Sequence, residues 1–147
     1  MSVDQSDLAV GTDEVEALEQ LLNAARLLTR GLNEILAEDG LTVDLWRIMH
    51  VLAKRPGLLM GEVAKSVTIP NATTTRLVNQ LVDSGLAYRK PHVDDSRKAV
   101  VYLSRTGRER LARATSLVGA RRSTLPAFAH LLDASDMAAT TRSTAAP

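Results

Sequence analysis

The chain contains no cysteine. That excludes disulfides, thiolate metal sites, cysteine nucleophiles and thiol-based redox sensing. It also lacks any apolar run long enough to read as a bilayer-spanning helix. The opening stretch MSVDQSDLAVGTDE has neither a basic head nor an apolar segment behind it, so it does not read as a signal peptide. Histidine is scarce, and His50, His92 and His130 fall in different expected elements. There is no HExxH pair, no phosphate-cradling glycine loop and no G-x-S-x-G elbow. These absences argue against an enzyme and against a metal site, and no cofactor is expected. The expectation is a soluble, cytoplasmic chain without a membrane partner.

What is present is an ordinary single-domain length, 147 residues with 45% apolar content, enough for a real core. The net charge of +1 hides a division. Residues 1–40 hold nine acids and two bases, a net of −7. The remainder holds 16 bases and eight acids, a net of +8. Within it, residues 86–113 hold eight bases and three acids, a net of +5. A basic centre beside an acidic end suits one face for a polyanion and another for a different contact. Two solvated surfaces of opposite sign would also account for it.

The periodicity changes along the chain. Residues 1–12 read as disordered. From Asp13 the pattern is helical, with Asp13 and Glu16 as a candidate capping box. Val15, Leu18, Leu22, Ala25, Thr29, Leu32 and Leu36 form one row, and Leu21, Leu28 and Ile35 a second. That stripe is wider than one neighbour needs, so this helix is expected to pack on its own domain and on a partner chain. Gly40 breaks it. Thr42 can cap VDLWRIMHVLAKR, which stops at Pro56-Gly57. A short helix near 61–67, the turn TIPN and the helix ATTTRLVNQLVDS follow, ending at Gly85. Then LAYRKP and KAVVYLS flank HVDDS, which reads as a β-hairpin. A helix resumes at Thr106, with Leu111, Ala114, Thr115 and Val118 on one side. Pro126 limits or kinks it. A last helical piece is expected near 133–139, and residues 141–147 read as a frayed tail. The fold class is therefore mainly α with a small β-hairpin wing, a winged helix-turn-helix domain.

In the helix from Asn71 to Ser84, Leu77, Val78 and Leu81 mark a core side, with Thr74 one turn earlier. Thr73, Thr75, Arg76, Asn79 and Gln80 are left on other faces, and Asn71, Thr73, Thr75, Arg76 and Asn79 are the candidate DNA contacts of this helix. Small hydroxyls and amides near a helix N-terminus suit close approach to base edges, and the helix end itself favours phosphate. Arg76 can meet a guanine edge or a phosphate. On its own such a face is ordinary solvated surface, but a basic hairpin follows it at once. That hairpin carries Arg89, Lys90, Arg97 and Lys98 as candidate DNA contacts. Two aspartates interrupt it. Asp94 suits the turn. Asp95 stands two residues before Arg97 and can hold its guanidinium in one rotamer, reducing the entropy lost on entering a narrow minor groove.

LTVDLWRIMHVLAKRPG, followed by EVAKSVTIPNATTTRLVNQLVDSGLAYRKPHVDDSRKAVVYLSRTGRERL, resembles MarR-type transcriptional regulators over roughly residues 15 to 125. The most specific parts are TTTRLVNQLVDSGL and DDSRKAVVYLSRTG. The second carries the Asp95-x-Arg97 pair, Leu103-Ser104 and Gly107. The chain departs from the family pattern at Thr68, where glycine is common, and at Pro70, where a Ser or Thr cap is common. The region after Pro126 is short and weakly helical beside the family's usual last helix. The resemblance implies a homodimer, with dimerisation helices at 13–38 and 106–140 in a single domain over 13–140. Residues 41–104 would form the DNA-binding winged helix. The recognition helix would enter the major groove of double-stranded DNA and the Arg97 wing the minor groove. Two-fold symmetry then implies a pseudo-palindromic operator. A repressor released by a small, aromatic, anionic effector is the common mode. The lack of cysteine excludes the thiol switch of peroxide-sensing relatives.

Candidate ligand contacts are Trp46 and His50, four apart on one helical face, the adaptable Met49 and Met60, and Arg26 and Arg30, which could attract a carboxylate. A packed core and a solvated arginine face explain the same residues. The competing function is a winged-helix protein-interaction module with little DNA affinity; the +5 segment and Arg97 argue against it.

Overall fold

The computed structural model describes residues 5–125, with side chains from Gly11 onward. The chain divides into two compact units. One is built from the described residues up to Leu32 and from Arg121 on; the other is Asn33–Ala120.

Helix α1 runs Gln5–Ala37, so it begins before Asp13 and has no capping box there. The stretch Gln5–Thr12, expected to be disordered, is helical. It contains no proline, and the one glycine, Gly11, costs a helix only about 1 kcal/mol against alanine. The apolar stripe divides by position. Of its residues Val15, Leu18, Leu21 and Leu22 are exposed, whereas Ile35 and Leu36 are buried; Leu27, outside the stripe, is exposed as well. Near the other end of the first unit, a 3-10 turn at Arg122–Thr124 leads to Leu125, which is buried and lies against Gly31. The helical piece expected near 133–139 and the frayed tail lie outside the described residues.

In the second unit, α2 (Val43–Lys54) starts as expected, with the Thr42 hydroxyl accepting from the Leu45 amide at 3.3 Å. Helix α3 (Met60–Val67) and helix α4 (Asn71–Asp83) follow. The Glu62 carboxylate reaches back to the Leu59 amide at 2.8 Å and holds the start of α3. Arg47 donates to the Val67 carbonyl at 2.6 Å and holds its end. Strands β2 (Ala87–Pro91) and β3 (Ala99–Leu103) form the expected hairpin. The sheet has a third strand, β1 (Leu58–Leu59), pairing Leu58 with Val101 and Leu59 with Val100, in the order β1-β3-β2. Two residues carry no readable alternation, so the sequence did not announce it. Helix α5 spans Arg105–Arg121.

The core of this unit gathers Leu36, Ile48, Met49, Leu52, Val63, Val78, Leu81, Val101 and Leu103, all 2% exposed or less. Each such side chain stabilises the fold by roughly 1.5–3 kcal/mol when taken out of water. Thr74 is the one buried polar residue in this core, and its hydroxyl faces the Ile69 carbonyl at 3.4 Å.

Candidate nucleic-acid interface

The core seats α4 by Leu77, Val78, Leu81 and Thr74, which are buried. The opposite face follows from the same period. Asn71, Thr75, Arg76 and Asn79 are exposed and Thr73 is half-buried. Pro70 is the N-cap, and α4 begins at Asn71. The Thr75 hydroxyl donates to the Asn71 carbonyl at 2.9 Å, leaving its oxygen lone pairs as acceptors. The turn before α4 passes through Thr68 at φ 57, ψ 44, the left-handed region. A β-branched residue is strained there, and glycine would adopt it freely.

Gly85, at φ +70, turns the chain out of α4 into the wing. The root of the wing explains why Ser104 and Gly107 stand together. The Ser104 hydroxyl accepts from the Gly107 amide at 2.9 Å, capping α5, and donates to the Gly85 carbonyl at 2.7 Å. Gly107 is buried, and a Cβ there would overlap the Leu86 carbonyl. One serine thus ties the end of α4, the hairpin and the start of α5.

At the tip, Asp95 does hold Arg97. Its Oδ1 accepts from Arg97 Nε and from the Arg97 amide, each at 3.1 Å. The Arg97 side chain is otherwise 90% exposed. The turn closes through Lys98 N–H to the Asp95 carbonyl at 2.9 Å and His92 N–H to the Lys98 carbonyl at 2.8 Å. The Asp94 amide donates to His92 Nδ1 at 3.2 Å. Lys98 is exposed, and so is Val93, whose apolar side chain stands in solvent at the tip.

Strand alternation sends Arg89 and Lys90 to opposite faces of the sheet. Arg89 reaches α4 and donates to Asn79 Oδ1 at 2.5 Å. Lys90 lies 5.7 Å from the ring centres of both Tyr88 and Tyr102. Those rings are a cross-strand pair, stacked with centroids 5.3 Å apart. The sequence named Arg89 and Lys90 as basic residues; it did not show that each had a seat.

The candidate ligand residues separate. Trp46 and His50 meet edge to face at 4.6 Å. The Trp46 indole donates to Thr115 Oγ1 at 3.2 Å, and His50 Nε2 lies 3.3 Å from the same oxygen. Thr115 was missed as a candidate, although it stands on the apolar side of α5. Burial, and secondarily the positive charge of Lys54, hold the His50 imidazole below its ordinary value. A neutral His50 can then accept the Thr115 hydroxyl proton. Met49 is fully buried core and Met60 is partly buried. Arg26 and Arg30 are exposed on the part of α1 that belongs to the other unit. A feature with no sequence signal is Asp39, whose backbone carbonyl takes two hydrogen bonds from Arg110. Its carboxylate lies 3.3 Å from Arg110 Nε and 3.7 Å from Arg113 Nε. Among the described residues, no group of three or more acids and histidines could hold a metal ion, and no helix is long and apolar enough to cross a membrane.

The sequence pattern of the MarR family matches residues 39–98, which span α2 to the wing tip. A solved MarR family transcriptional regulator from Silicibacter pomeroyi DSS is 32% identical, with a TM-score of 0.64, over 72% of this chain and 71% of that one. The chain belongs to the MarR family. A homoprotocatechuate degradative operon repressor from Escherichia coli is 26% identical over 98 residues, 67% of this chain and 66% of the relative. A mutant of E. coli MarR complexed with operator DNA shares the fold, with a TM-score of 0.66 and 24% identity over 73% of this chain and 77% of that one. This MarR-family chain spans 48%, 57% and 66% of the length of three curated relatives that it matches. Its winged-helix fold is mainly helical, with a small three-stranded sheet.

Proposed function

We propose that the protein is a homodimeric repressor that binds double-stranded DNA at a pseudo-palindromic operator. The observation that carries this reading is the wing tip, where Asp95 holds an otherwise exposed Arg97 in one direction. Pre-orienting a guanidinium is of use to a protein that inserts it into a narrow, negative groove. Helix α4 would occupy the adjacent major groove, with Asn71, Thr73, Thr75 and Arg76 near the bases. Lys90 and Lys98 would add charge towards phosphates. Two relatives support the reading, one named as an operon repressor and one seen on operator DNA.

The homodimer rests on α1, whose row of exposed leucines needs a cover, with 13–38 and 106–140 as the dimerisation segments and 41–104 as the DNA-binding part. A second copy related by a two-fold axis would place two recognition helices on two half-sites. Release would come from a small aromatic anion meeting Trp46 and His50.

The test is fluorescence anisotropy on duplex DNA from the region upstream of the protein's own coding sequence, across a salt series and against an unrelated duplex. The wild type is expected to bind the upstream DNA selectively, with affinity falling steeply with salt. Arg97→Ala is expected to weaken binding about ten-fold or more. Weak, equal binding to every duplex, unaffected by Arg97→Ala, would instead favour a protein-interaction module.

A further inference from the structure

Asn79 and Arg89 come from different DNA-facing elements, one on α4 and one on β2, and they meet at 2.5 Å. A guanidinium only donates hydrogen bonds, so the Asn79 atom facing it is the oxygen. An asparagine that reads adenine uses its oxygen and its nitrogen together. With the oxygen turned to Arg89, Asn79 cannot make that pair unless it releases the arginine. Asn79 also lies in the C-terminal half of α4, past the helix end that approaches bases most closely.

Arg89 sits partway along β2, paired with Val101, with α4 on one side and the Asp95–Arg97 tip further out. If α4 occupies a major groove and the tip the neighbouring minor groove, the sugar-phosphate strand between those grooves runs past the space between the two elements. One Arg89 N–H is committed to Asn79, and the other donors of its fork remain to meet that strand. On the opposite face of the sheet, Lys90 is held by Tyr88 and Tyr102 rather than by α4.

We propose that Asn79 is a positioning residue that holds the Arg89 guanidinium between the recognition helix and the wing, where Arg89 clamps one DNA phosphate. The proposal rests on the DNA-binding reading and gives these two residues their separate parts in it. Phosphate contacts fix the register of a protein on the duplex without reading sequence. The clamp therefore sets the spacing at which helix and wing engage their grooves.

The experiment measures anisotropy for the full-length wild type, Asn79→Ala, Arg89→Ala, Arg89→Lys and the double alanine variant. Each is titrated on upstream DNA and on an unrelated duplex across a salt series, with thermal unfolding as a check on folding. Arg89→Ala is expected to lose about ten-fold on both duplexes and to flatten the dependence of log affinity on log salt by about 1. Asn79→Ala is expected to lose about three-fold on both duplexes with little change in that slope. The double variant should bind like Arg89→Ala, because Asn79 acts through the arginine. Arg89→Lys should recover the salt slope but not the full affinity, since an ammonium cannot hold the planar fork.

Loss by Asn79→Ala on upstream DNA alone, additive with Arg89→Ala, would make Asn79 a base reader and overturn the proposal. Unchanged affinity and slope in Arg89→Ala, with the wild type binding selectively, would reduce the pair to a structural tie and overturn the proposal alone. A wild type that binds no duplex selectively would overturn the DNA reading and this proposal with it.

Discussion

The first-unit part of α1 and the winged-helix unit treat their leucines in opposite ways. In the second unit Ile48, Leu52 and Val63 are fully buried, and helices and sheet close over them. On α1 in the first unit, Val15 is 56% exposed, Leu18 61% and Leu22 60%. The two regions also differ in charge, since the acids concentrate before residue 40 and the bases between 86 and 113. A row of leucines left in water marks a surface built to be covered. Among the described residues, the winged-helix unit gathers its aliphatic side chains into a core, whereas the part of α1 in the first unit leaves a row of them exposed.

The largest effect should come from breaking that contrast at α1. Leu18→Glu combined with Leu22→Glu is expected to convert the proposed dimer into a monomer, because each leucine buried in an interface contributes roughly 1.5–3 kcal/mol. Light scattering behind size exclusion reads the mass, and far-UV circular dichroism should show the helices retained. An unchanged mass would mean that these leucines do not form the interface.

Within the self-contained unit, Gly107→Ala places a methyl group against the Leu86 carbonyl. Overpacking against backbone costs about 1–3 kcal/mol, to be read as a lowered midpoint in denaturant. The same substitution at Gly119, where an added Cβ meets no neighbour, serves as the control.

Thr68→Gly should act in the other direction. It removes a left-handed β-branched residue, at some entropic cost from glycine, for a net gain of up to about 1 kcal/mol. A higher melting temperature with DNA affinity retained would identify the turn as plain strain. Loss of affinity would mean that the threonine side chain itself has a part at the interface.

The smallest effect concerns pH. His50 is held below its ordinary value of 6.5, first by burial and then by Lys54. The unfolded chain therefore takes up this proton first as pH falls. The stability from a neutral His50 is complete above about 6.5 and declines as pH drops through that value towards the lower folded one. His50→Gln should flatten that acid-side decline in a series of unfolding curves, and a steeper decline would contradict the assignment.

Much of the winged helix was legible in the residues, for local reasons. Thr42 is a cap, Gly85 a left-handed stop, and Leu77, Val78 and Leu81 have helical spacing. Asp95 and Arg97 are two residues apart, so their pairing needed only a tight turn. The early start of α1 was not legible, because the Asp13 capping pattern offers a start signal that the chain overrides. The two-residue strand β1 was hidden because it is too short to show a period.

Sequence alone determined the helices of the winged-helix unit, which face of α4 is apolar, where the basic charge lies and that no thiol chemistry is available, since these depend on neighbours within a turn or two. Only the tertiary structure decided that Arg89 meets Asn79, that Lys90 rests on a tyrosine pair, that Thr115 joins Trp46 to His50, and that Ser104 ties three elements at the root of the wing. The long-range members of that set join residues from 10 to 69 positions apart, and no local pattern specifies which distant side chain will arrive beside them once the core closes.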